Sequence, residues 1–256
     1  MLSPHLNFTR KVTVCLHAFI PICADRVTVG MVIIMSKPTV LHIGKLIFRM
    51  VMLLAAAAAF AYRGVNPSFD PAPLLALVWA AFMAEMVRRL FPIRSESIGC
   101  QKQYAYAFRP CGTAAKPSLP HRRALAVALL WAAVNLLFGF AYFRGVLSAD
   151  GLVLLSLFFA VCDMVCVLAF CPFQKLVMKN RCCITCRIYD WDYAMMFAPL
   201  AFLPSAAARS LFAMGLVLLV KWEISVYRHP ERFSDVTNSA LSCKNCTEKL
   251  CRHKKL

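Results

Sequence analysis

The sequence predicts an all-α, polytopic integral membrane helical bundle, with four transmembrane spans followed by a C-terminal helical hairpin. Three observations predict it. Of 256 residues, 61% are hydrophobic and 16% charged, against about 45–50% and about 25% in ordinary soluble domains. The apolar residues gather in long blocks. Basic residues crowd into alternate connections between those blocks. Together these exclude a secreted mini-protein, a disordered or collagenous chain and a simple cytosolic enzyme.

The first 34 residues form an arm that fits no span. Residues 12–22 are apolar, follow Arg10 and Lys11 and precede Ala24, which is the outline of a signal peptide. His17 and Pro21 interrupt it, however, and no Ala-x-Ala-like cleavage site follows. Met31 or Met35 would serve as a start just ahead of the first span, so the expectation is a mis-set start codon or a disordered arm.

Residues 35–222 form the membrane domain. Blocks at 46–62, 73–87, 124–143 and 152–173 are 15 to 22 residues long, near the ~20 that a helix needs to cross ~30 Å of hydrocarbon. The fifth block, 193–221, would be ~44 Å as one helix, long for one crossing and short for two. Pro199 and Pro204 break it. It is read as a hairpin: a short or re-entrant limb over 193–203, a turn at 205–209 and a return over 211–222. One long tilted helix is the alternative. The loop 88–123, with Pro92, Pro110, Pro117 and Pro120, reads as mostly irregular. Residues 223–256 form a basic, Cys-rich tail.

The formal charge of +17 is an orientation signal. The arm through Arg49 and the segments 88–123, 173–192 and 221–256 carry 26 of the 29 Lys and Arg; Arg63, Arg144 and Arg209 stand alone in the other connections. Positive loops stay inside. This predicts a plasma (inner) membrane protein with both termini cytosolic, and attraction to anionic inner-leaflet lipids. It leaves no need for a nucleic-acid partner.

Thirteen cysteines are many for this length, and six form two tight groups: Cys182, Cys183 and Cys186, then Cys243, Cys246 and Cys251 with His253. Under this topology both face the reducing cytosol, where clustered Cys more often bind metal than form disulfides. Two Cys-x-x-Cys turns can enclose one ion at Zn–S distances of ~2.3 Å. The expected ligands are Cys183, Cys186, Cys243 and Cys246, with Cys182, Cys251 and His253 as substitutes. Arg181, Arg187 and Lys244 would favour the thiolates. Zn2+ is the expected metal; an iron–sulfur cluster takes the same donors, and juxtamembrane cysteines are also palmitoylation sites.

Asp163 is the one acid inside the fourth block, with Ser156 and Cys166 on its face. An antiparallel hairpin about residue 147 would set it level with Trp131 and one turn from Asn135, either of which could donate to its carboxylate. The alternatives are an interhelical hydrogen bond and a proton or cation site. Glu85 precedes Arg88 and Arg89 in favourable helical order. Asp190 and Asp192 flank Trp191, as suits a helix N-terminus at an interface; Mg2+ held against a diphosphate headgroup is the other reading.

No phosphate-binding glycine loop, His-Glu-x-x-His or Gly-x-Ser-x-Gly is present in the sequence. The expected protein is a multi-pass membrane protein, non-catalytic or of unassigned activity, with a cytosolic metal–thiolate clasp. A membrane thiol–disulfide oxidoreductase and a proton- or metal-ion-coupled transporter centred on Asp163 are the alternatives.

Overall fold

The computed structural model describes residues 37–91, 100–112, 116–180, 182 and 185–242. The N-terminal arm lies outside the described residues. Among the described residues six α-helices form: α1 (Lys37–Val65), α2 (Ala72–Leu90), α3 (His121–Phe143), α4 (Ala149–Leu168), the short α5 (Asp192–Phe197) and α6 (Ala206–Arg228). Among the described residues no strand forms; the one β-bridge pairs Pro110 with Asn238. The fold is an all-α helical bundle.

Among the described residues four stretches are long and apolar enough to cross a membrane: Val40–Val65, His121–Phe143, Ala149–Leu168 and Ala206–Arg228. Their outer faces carry exposed large apolar side chains: Ile47, Val51 and Leu54 on α1, Leu125, Leu129 and Leu136 on α3, and Val217, Val220 and Ile224 on α6. Spacings of three, four and seven place each set on one stripe. Water would penalise such stripes, and lipid would not. The block at 73–87 folds as α2, 19 residues long and so about 28 Å. Glu85, Arg88 and Arg89 near its end set it apart from the four more apolar helices.

Two boundaries differ from the block limits. The first helix begins at Lys37 rather than residue 46, because Pro38 is tolerated in a first turn and Lys45 finds a partner inside the bundle in Glu85. The fourth ends at Leu168 rather than 173; Pro172 follows, and a π-helical turn (Phe173–Val177) redirects the chain. Lys179 then adopts a left-handed conformation, φ 51°.

The hairpin in block five is present. α5 passes into a 3-10 turn (Ala198–Phe202), carrying Pro199, and the chain reverses at residues 203–205 before α6. The limb 192–202 is about 19 Å long. It begins inside the bundle, where Arg89 of α2 binds Asp192, and ends where Phe202 meets Phe143 at the end of α3, ring centroids 6.1 Å apart. α6 then runs parallel to α2: Trp79 Nε1 donates to Ser210 Oγ at 2.8 Å, and eleven residues further along each helix Lys221 Nζ donates to the Leu90 carbonyl. α1 and α4 are antiparallel, joined by Arg49 to Asp163 near one end and by Arg63 to Asp150 at the other. The helix ends joined by the short connections 66–71, 144–148 and 203–205 form one end of the bundle. The described parts of the long basic segments after α2, α4 and α6 lie at the other, called here the basic end.

The main core packs Met52, Val78, Phe82, Met86, Leu157, Phe197 and Leu218 between these helices. At Gly215 the limb approaches so closely that a Cβ would stand 3.0 Å from the carbonyl carbon and oxygen of Tyr193. Backbone cannot rotate away as a side chain can. Gly215→Val is expected to pry α5 from α6 and lower stability by about 1–3 kcal/mol, read as a reduced unfolding temperature in detergent; an unchanged temperature would disprove that contact.

Candidate functional site: a buried ion-pair network and a docked tail

His42, Lys45 and Arg49 fall at i, i+3 and i+7 on α1 and share one stripe. That stripe faces the bundle at its basic end, and Arg49 is 2% exposed. Its NH1 donates to Asp163 Oδ2 of α4 at 2.8 Å and to the Ala160 carbonyl at 2.9 Å; its NH2 lies 3.4 Å from Glu85 Oε2 of α2. Lys45 Nζ closes the other Glu85 oxygen at 2.7 Å. One guanidinium thus ties α1 to two other helices.

Arg89 repeats the arrangement one turn further along α2. Its Nε is 3.1 Å from Asp190 Oδ1, and its NH1 is 2.5 Å from Asp192 Oδ2. Tyr104, from the loop after α2, donates to the second Asp190 oxygen at 3.3 Å. Burial pushes the Asp190 carboxyl above the usual carboxylate range, and the Arg89 guanidinium opposes that shift. Tyr193 lies between the two arginines, its ring centroid 4.9 Å from the Arg89 guanidinium and 6.0 Å from that of Arg49.

The partners of several sequence-predicted residues differ from expectation. Asp163 is paired with Arg49, not with Trp131 or Asn135. Trp131 Nε1 donates to the Met195 carbonyl of the hairpin limb at 3.1 Å, and Asn135 Nδ2 to the Trp131 carbonyl at 2.9 Å. The reason is packing: α4 lies along α1, while α3 lies along the limb. Glu85 reaches across to α1. Asp190 and Asp192 share Arg89, which takes the place a divalent cation would have needed. Arg49 escaped sequence reasoning because it was counted with the basic arm. Its heptad spacing from His42, opposite a lone intramembrane acid, was the available signal.

A second polar cluster closes the basic end. Arg187 pairs through both terminal nitrogens with Glu223 of α6, and Trp191 Nε1 donates to the same carboxylate at 2.7 Å. Trp222 Nε1 donates to the Arg187 carbonyl at 2.8 Å. Arg187 is therefore committed to Glu223 rather than to thiolates.

The segment after α6 folds back onto the loop between α2 and α3, an attachment with no forewarning in the sequence. Asn238, wholly buried, accepts from the backbone of Arg109 and Ala240 and donates to the carbonyls of Lys102 and Arg232. Cys111 N donates to the Thr237 carbonyl at 3.0 Å, and Ser239 N to the Arg109 carbonyl at 2.8 Å.

Of the expected metal ligands, Cys183, Cys243 and Cys246, with Cys251 and His253, lie outside the described residues. Cys182 and Cys186 are described. Asn180 Nδ2 and Thr185 Oγ1 both donate to the Cys182 carbonyl, at 3.0 and 3.2 Å. Cys186 is buried in an apolar cluster with Trp222, Val226 and Phe233. Among the described residues no disulfide joins two cysteines, and no three His, Cys, Asp or Glu side chains converge as a metal site.

The geometry thus defines a helical bundle with membrane-spanning character and a charge-compensated core at one end. Comparison of the chain with protein-family models, curated proteins and solved structures finds no match.

Two outcomes follow. Asp163→Ala strips Arg49 of its shortest carboxylate contact and is expected to cost about 3–5 kcal/mol, while Asp163→Asn, which retains an acceptor, loses less; equal unfolding temperatures for the two variants and the parent would contradict the pairing. Asn238→Ala removes four hydrogen bonds at a fully buried site. It is expected to raise hydrogen exchange across 230–242 with little change in the helices, and protection as in the parent would argue against the docking.

Proposed function

We propose that the protein is a non-enzymatic multi-pass membrane protein, oriented with its basic end in the cytosol, whose tail is clasped to the bundle by Zn2+ bound to Cys183, Cys186, Cys243 and Cys246. One observation carries this reading: Cys186 and Phe233, where the tail leaves α6, belong to one apolar cluster. Both Cys-x-x-Cys groups therefore leave described segments at the same end of the bundle. The described tail ends at Ser242, one residue before Cys243, where it is docked on the loop between α2 and α3. The concentration of basic residues on that end's segments supports the orientation, and contact with anionic lipid headgroups accompanies it.

Tetrahedral thiolate coordination would add a cross-link to the hydrogen bonds that Asn238 already provides. An iron–sulfur cluster would use the same four donors. Burial of Cys186 favours a structural over a redox role, since thiol–disulfide exchange needs an accessible thiolate. Transport centred on Asp163 meets a carboxylate already held by Arg49.

Metal analysis of the purified full-length chain tests the reading. The parent should carry about one zinc per chain, and Cys243→Ser with Cys246→Ser should lose it while the helical content stays. Equal metal in parent and double variant, or none in a parent prepared without chelator, would end the proposal.

A further inference from the structure

The ion-pair network leaves one buried group unserved. His42 is 3% exposed, and neither of its ring nitrogens has a hydrogen-bond partner among the described residues. Seven residues along the same stripe, Arg49 Nε is also buried without one. A buried polar atom left in that condition costs stability that a hydrogen bond from a guest would recover. A neutral imidazole offers one donor and one acceptor, and a guanidinium Nε–H can only donate. The unmet capacity is therefore mainly for donating, and an acceptor suits it.

The charges around His42 say which kind. Lys45 and Arg49 face it from its own helix, and Glu85 and Arg89 from α2. Three cations and one anion surround the ring, which favours a negatively charged guest. Beyond them Asp163, Asp190 and Asp192 complete the pairs, with Lys221 acting on Asp190. Across the whole network four cations then meet four carboxylates. A guest anion would leave an uncompensated charge in a poorly solvated interior, which is expensive. His42 is the titratable member of the group without a partner, and a proton on it restores neutrality while turning its second nitrogen into a donor.

We propose that the His42 edge of this network, formed by His42, Lys45 and Arg49, binds a phosphate oxyanion and takes up a proton on His42 as it does so. The proton comes from solvent, and no covalent bond forms or breaks. Phosphate is chosen because of depth and access. His42 lies five residues from Lys37, where α1 begins at the basic end of the bundle, which is the end that would face lipid headgroups. The Lys45 side chain, 38% exposed, opens the site toward that surface. The phosphate of an anionic headgroup and free inorganic phosphate present the same oxygens.

The test uses full-length protein, delipidated in a maltoside detergent that contains no phosphate. Inorganic phosphate is titrated at neutral pH by calorimetry in two buffers of different ionisation heat. Saturable binding is expected, with buffer-dependent heat corresponding to about one proton taken up per phosphate. His42→Gln, which keeps the hydrogen-bonding shape but not the titration, should weaken binding about tenfold and abolish the proton uptake. Lys45→Gln, at a partly exposed position, should weaken binding similarly and keeps the test valid should the His42 variant misfold. Repeating the titration in phosphatidylglycerol nanodiscs identifies the source. Loss of the phosphate heat there assigns the site to the headgroup, and retention assigns it to soluble phosphate. No saturable binding in detergent, binding without buffer dependence, or parental affinity in well-folded variants would each overturn the proposal.

Discussion

A guanidinium sealed inside an apolar bundle is the constraint on which the rest of this structure depends. Arg49 is almost wholly buried, and an isolated charge there would be untenable. Two carboxylates from two other helices, Asp163 of α4 and Glu85 of α2, meet it, and the rings of Phe82 and Tyr193 lie under its plane. Leu-rich faces slide past one another with little penalty, because lipid is as apolar as they are. The arginine sets the register of α1, α2 and α4 because a shift of one turn would separate the charges.

Arg89 extends the same logic to the second half of the chain. By holding Asp190 and Asp192 it anchors the start of the hairpin limb, and Tyr193 joins the two arginine centres. The limb is too short to cross on its own. It survives because α3, α4 and α6 surround it: Trp131 supplies a donor to the Met195 carbonyl, and Gly215 lets α6 lie against its backbone. Broken helix at such depth is tolerated where protein covers it. The basic end is then closed by Arg187 with Glu223 and by Asn238 between the tail and the loop.

What the sequence revealed follows from the range of each interaction. Apolar blocks are local, so the spans and the interrupted fifth block were legible, and Pro199 and Pro204 marked the hairpin. Helix ends were less so: Lys45 and Arg49 were counted with the basic arm, yet they continue the helix because their partners lie more than thirty residues away. Asp163 stood out as an intramembrane acid, but its partner depended on which helix α4 packs against, and hydrophobic pattern does not encode that. Asn238 looked like any polar tail residue. Its role comes from four backbone groups on two segments, and backbone leaves no trace in a sequence.

The claim that one arginine organises the bundle is tested most directly by a double-mutant cycle on Arg49 and Asp163. Unfolding free energies would be measured for Arg49→Met, Asp163→Leu and the pair together. Each single variant leaves a buried charge short of its partner, whereas the double variant removes both. The account predicts strong coupling, with the double variant less destabilised than the two single losses added, by about 1 kcal/mol or more. Losses that simply add would show that the two side chains act independently and that the bundle is held by its apolar surfaces alone.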